Sequence, residues 1–156
     1  MRRVVLALPI LLCSCATADM QPAGREWSAS GYEGFAESID VLVGPAVVDC
    51  GFFDLIGDKP APAVRRQAFT CVDGAIKSGK AFKYGTQRLP IDSYATEVIA
   101  RTPDGKLRMI IFDVMIDGEA PQQWNRICEK VSVDPRTLII EGEGCVEYST
   151  GRLVTK

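Results

Sequence analysis

Four cysteines, Cys50, Cys71, Cys128 and Cys145, follow an N-terminal segment that reads as an export signal. An even set of thiols delivered to an oxidising compartment pairs into disulfides, and four thiols allow three connectivities. Cys50–Cys71 and Cys128–Cys145 are the expected pairs, because each closes a short local loop. In the chain-entropy picture, a loop of that size contributes about 3 kcal/mol. The competing use of sulfur is a catalytic or metal-binding thiolate. The chain has no C-x-x-C and no His to activate one.

The lack of His excludes more than a thiolate site. Ser-His-Asp and Cys-His catalysis and the common His-containing zinc sites cannot be built. No cofactor or metal is expected. With 47% hydrophobic residues, the chain can form one core. A net charge of -2 argues against nucleic acid or an anionic membrane surface as partner.

Arg2 and Arg3 precede an apolar run from Val4 to Leu12 that contains Pro9. The run is too short for a bilayer, which needs about twenty residues, and suits a signal-peptide core. Leu12-Cys13-Ser14-Cys15 resembles a bacterial lipobox. By that resemblance Cys15 is diacylated and becomes the first mature residue, and residues 1–14 are the signal peptide. Cys13 is a poor acceptor because bulky Leu12 precedes it. Ala16 after the lipid Cys implies sorting to the outer membrane, with the domain facing the periplasm. Ordinary cleavage after Ala16-Thr17-Ala18 is the alternative and would release a soluble periplasmic or secreted protein. Losing Arg2 and Arg3 takes the mature charge to about -4, a weak preference for a basic partner.

Residues 15–29, with Pro22 and Gly24, read as a tether, and 30–156 as a single domain. The start of the domain is ambiguous. Tyr32, Phe35, Ala36, Ile39, Leu42 and Val43 have helical spacing, and Ser30 with Glu33 resembles a capping box. Ile39, Val41 and Val43 also alternate like a strand. A short helix near 31–37 and strand character near 39–49 are expected. The principal helix runs from Pro62 to Phe82, with Val64, Ala68, Cys71, Val72, Ala75, Gly79 and Phe82 on one face. Alternation then predicts a hairpin, Tyr94 to Arg101 and Leu107 to Phe112, around Thr102-Pro103-Asp104-Gly105. Further strands are expected over 124–133, 137–141 and 145–149. The predicted class is α+β: one principal helix on a mostly antiparallel sheet, stapled by disulfides.

The chemistry-bearing candidates are few. Asp113, Asp117 and Glu119 form the tightest acidic group but lack the spacing of a calcium loop, and they read as a strand end and turn. Asp92-Ser93-Tyr94 lacks a base for the serine and reads as a turn before a strand. Glu141, Glu143 and Glu147 mark a wet strand face. Gly142-Glu143-Gly144 is too short for a phosphate cradle and reads as a hairpin turn. Arg65-Arg66 reads as a solvated helix face. Trp124 and Tyr148 are the aromatic candidates for partner binding, since such residues anchor interfaces. No catalytic residue is assigned.

From Cys50 to Cys128 the chain carries Asp49-Cys50-Gly51, then a helix with Cys71 and Ala75 ending Gly79-Lys80-Ala81-Phe82. Asp92 before a strand, Asp104-Gly105 at a turn, Asp113 at a strand end, Trp124 and Cys128 follow. In this order it is similar to small bacterial envelope lipoproteins with a cysteine-containing α+β domain of unassigned function. The resemblance implies an α+β domain and a disulfide at Cys50, and no activity. Cys145 lies outside that pattern, so a core set of Cys50, Cys71 and Cys128 permits another connectivity. The expected role is a non-catalytic lipoprotein that joins the membrane through its anchor and presents a binding or structural domain to the periplasm, with another envelope protein as the candidate partner. An inhibitor or immunity protein against a toxin or wall hydrolase is the first alternative. A carboxylate-dependent hydrolase using Asp92 or Asp113 is the second.

Overall fold

Gly79 ends the principal helix. In the computed structural model, which describes residues 24, 26–29, 33–45, 47–57, 59–117 and 122–148, its φ of 67° lies in the left-handed region, where an L side chain is strained. The helix therefore covers Pro62–Ser78, and Phe82, expected on its apolar face, opens the next strand.

In chain order the elements are α1 (Phe35–Val43), β1 (Val48–Asp54), α2 (Pro62–Ser78), β2 (Phe82–Arg88), β3 (Ser93–Arg101), β4 (Leu107–Met115), β5 (Gln122–Cys128), β6 (Lys130–Val133), β7 (Ile140–Glu143) and β8 (Val146–Glu147). Six strands form one sheet in the order β1-β2-β3-β4-β5-β8. β1 and β2 are parallel and joined across α2, while the later pairs are antiparallel. The class is α+β, as the patterning predicts.

Both faces of the sheet are covered. On one, α2 and the β6–β7 hairpin bury Cys50, Phe53, Phe82, Tyr84, Ile99 and Met109. On the other, Phe35, Ile39 and Val43 of α1 pack on Phe52, Val98, Ala100, Ile110 and Phe112. Two-sided burial explains why β2 is invisible to alternation. Its polar Lys83, Thr86 and Gln87 are buried along with Phe82 and Tyr84. Trp27 and Ala29, within the expected tether, also pack on the α1 face.

Three expectations near these elements are corrected. Helix continues to Val43 in place of a strand from 39, because Phe35, Ile39 and Val43 repeat every four residues and reach the sheet together. The N-cap of α1 is Gly34, and Ser30 lies outside the described residues. The expected strand over 124–133 is two strands. β5 ends at Cys128, and β6 leaves the main sheet to pair with β7.

Both disulfides join the expected neighbours. Cys50–Cys71 ties β1 to α2 across a sequence separation of 21, and Cys128–Cys145 ties β5 to the β7–β8 connection across 17. Gly142 sits over the second bridge. A Cβ there would lie 2.6 Å from Cys145 Sγ and 3.1 Å from Met109 Sδ, so only glycine lets β7 pass. Gly142-Glu143-Gly144 is thus not a hairpin turn. It ends β7, and Gly144 carries the chain back to the main sheet, where β8 pairs with β5.

The loop between β6 and β7 is locked at Asp134. Its carboxylate accepts the backbone N–H of Arg136 (2.6 Å) and of Thr137 (3.1 Å), bonds that hold it below the usual carboxylate range. Leu138 then takes a φ of 66°, a strained conformation for a side chain of its size. Its side chain is fully buried, and its carbonyl accepts the Tyr84 hydroxyl at 2.9 Å. Burial pushes the Tyr84 phenol far above its ordinary value of 10.0. A folded-state value above the unfolded one means that this stability is complete below the unfolded pKa and lost as pH rises beyond it. Stability should therefore fall above about pH 10. Tyr84→Phe should flatten that alkaline limb and cost about 1 kcal/mol at neutral pH through the orphaned Leu138 carbonyl. Urea unfolding against pH checks both, and an unchanged limb would contradict the assignment.

Candidate functional site

The sheet register assembles two charged groups that no local motif announces. On the α2 face, Thr86 lies opposite Glu97 and Glu97 opposite Ile111, while Arg88 lies opposite Ala95 and Ala95 opposite Asp113. Arg88 Nη2 donates to Glu97 Oε1 at 2.6 Å. The Glu97 side chain is 5% exposed and that of Arg88 37%. The hydrogen bond to Glu97 raises the Arg88 guanidinium above its ordinary value against the opposing effect of burial, and the charges of Glu97 and Asp113 add to it. Around this pair, Thr86 Oγ1, Arg88 Nε, Glu97 Oε2 and Asp113 Oδ1 are buried with no hydrogen-bond partner among the described residues. The acids brought onto one face are Glu97 and Asp113. Asp92 stands exposed in the bend before β3, where its carbonyl accepts the Ile116 N–H at 2.9 Å.

The second group lies on the α1 face around Lys83, which is only 7% exposed. Its ammonium contacts Asp40 Oδ1 at 2.5 Å and Asp49 Oδ2 at 3.3 Å, and sits 4.6 Å from the centre of the Trp27 ring. The Trp27 indole N–H donates to the same Asp49 oxygen at 3.1 Å. A buried ammonium needs such partners, because an unpaired one would bear its whole desolvation cost. Beside this cage, Glu37, Asp40, Val41, Gly44, Pro45 and Val47 line an open groove of about 500 Å³. Asp40 joins the two features, since its side chain remains 59% exposed while bound to Lys83.

The aromatic candidates differ in their surroundings. Trp124 is half-buried on β5 opposite Ile111, in the same row as Glu97. Tyr148 is half-buried and engaged. Its hydroxyl accepts Arg108 Nη1, and the guanidinium carbon lies 5.3 Å from its ring centre. Arg108 also reaches Asp104 Oδ2 at 3.7 Å, so Tyr148 closes a clamp over the hairpin turn. Asp104 is itself held below the usual carboxylate range, chiefly by the Thr102 hydroxyl.

Among the described residues, the remaining acids form no group of three. Glu143 pairs with Lys130 at 2.9 Å and Glu147 with Arg126 at 3.9 Å, both on wet surface, where such pairs contribute little. Asp117 lies in an exposed turn, and Ser93 is buried in β3. Glu119 and Cys15 lie outside the described residues. Among those described, no group of three His, Cys, Asp or Glu side chains could hold a metal. Nor, among the described residues, is any helix long and apolar enough to cross a membrane. Arg65, expected on a solvated face, is half-buried and donates to the Pro60 carbonyl at 2.8 Å, fastening the first turn of α2.

Lys83, Arg88 and Glu97 escaped the sequence reading. Lys83 is meaningful only through elements distant in the chain, and Arg88 and Glu97, nine residues apart, only through the register that pairs β2 with β3. The available signal was weak: polar Lys83 and Gln87 interleaved with aromatic Phe82 and Tyr84 after a helix stop. No known protein family, curated protein or solved structure matches the chain.

Proposed function

We propose that the protein is a bacterial envelope lipoprotein, anchored through Cys15 in the outer membrane, whose stapled domain binds another envelope protein and performs no reaction itself. The observation that carries this reading is the use of sulfur. Cys50, Cys71, Cys128 and Cys145 are all committed to intrachain pairs, a state suited to an oxidising compartment. The lipobox-like Leu12-Cys13-Ser14-Cys15 leaves Cys15 for the lipid. A sequence without His further favours binding over catalysis. Metabolic labelling with a fatty-acid probe tests the anchor. Wild type should be labelled and Cys15→Ala should not, and equal labelling would refute the assignment.

An inhibitor or immunity role is favoured by one observation, the acidic groove beside α1. Such a protein would block a basic toxin or wall hydrolase. A carboxylate-dependent hydrolase using Asp92 or Asp113 is disfavoured by the exposed position of Asp92 before β3.

A further inference from the structure

We infer that the groove along the exposed side of α1, from Glu37 in its first turn to Gly44 at its C-terminal end, receives a cationic, apolar segment of a partner polypeptide. The inference rests on the envelope-binding reading and supplies the chemistry of what is bound. Glu37, Asp40, Val41 and Gly44 are spaced i, i+3, i+4 and i+7, so they share one side of the helix region. That side points away from the buried Phe35, Ile39 and Val43. Val41 is 85% exposed, an apolar side chain placed between two acids.

Negative charge gathers at this groove from independent sources. Glu37 and Asp40 line it, and the carbonyl end of α1 meets it at Gly44, with no basic side chain in the last turn of the helix. Lys83 answers Asp40 from beneath, but it is shared with Asp49. That contact also fixes the Asp40 carboxylate before any ligand arrives, which lowers the ordering cost of binding. A lysine or arginine has the matching form. Its aliphatic stem covers Val41, Pro45 and Val47, and its charged head reaches Glu37 and Asp40. A phosphate-bearing surface would instead meet like charge.

The test titrates the full-length mature protein in detergent against a fluorescent peptide of alternating lysine and leucine, read by anisotropy. Saturable binding is expected, weakened about tenfold by Glu37→Lys and severalfold by Val41→Thr. Both substitutions lie on the helix surface, and unchanged thermal midpoints separate lost binding from lost folding. A glutamate–leucine peptide of equal length should not bind. No saturable binding, equal binding of either control (glutamate–leucine or serine–leucine), or undiminished affinity in Glu37→Lys would overturn the proposal. Failure here with Cys15 labelling intact removes the groove and leaves the envelope reading. Peptide binding without labelling does the reverse.

Discussion

A variant with Ala at Cys50, Cys71, Cys128 and Cys145 is expected to lose about 6 kcal/mol of stability, each bridge contributing about 3 kcal/mol. The loops closed are similar, with separations of 21 and 17, so chain entropy makes the two losses nearly equal. Domains of this kind have only about 5–15 kcal/mol in total. The variant should therefore lose a large share of its stability and unfold at a much lower urea midpoint, with each single-bridge variant in between. The Cys50–Cys71 variant should suffer more than loop entropy predicts. Cys50 is fully buried beneath α2, and the bridge is a direct tie between that helix and the β1 edge of the sheet. Urea unfolding followed by circular dichroism measures the series. A four-alanine variant within 1 kcal/mol of wild type would mean that the bridges do not constrain the chain.

Arg88→Met should be the most damaging single change on the α2 face, at about 3–5 kcal/mol, because it strands Glu97 as a buried, uncompensated carboxylate. Glu97→Gln should cost clearly less. Arg88 is the more exposed partner, so its guanidinium can turn to water once the carboxylate is gone. Asp113, which also faces Arg88, keeps part of the compensation. Replacing both partners, Arg88→Met with Glu97→Met, should recover most of the loss, since paired apolar side chains are tolerated where one unpaired charge is not. The asymmetry is the signature of the buried pair. Equal costs for the two single variants would show that the ion pair is solvated.

The hairpin of β3 and β4 was legible because Thr102-Pro103-Asp104-Gly105 is a turn in its own right and the flanking residues alternate. The start of α2 was equally local, marked by Pro62, but its end needed the recognition that Gly79 adopts a left-handed backbone. α1 was misread as partly strand, since its β-branched residues satisfy both periods and only the sheet beneath selects one. Of the candidate sites, Tyr148 proved to be a clamp on Arg108, while the Lys83 cage and the Arg88–Glu97 pair went unnoticed.

What the sequence alone determined is what adjacent residues can settle: a leader-like segment with a lipobox-like Cys15, the lack of imidazole chemistry and the α+β pattern, while the local cysteine pairs it favoured were selected by the fold. Only the tertiary structure decided which charges meet. Lys83 lies 43 residues from Asp40, and Tyr84 lies 54 from Leu138, whose carbonyl accepts its hydroxyl hydrogen bond. Contacts of that span depend on which faces of a two-sided sheet the helices cover. That choice is made by the summed burial of many side chains, and no single stretch of the chain encodes it.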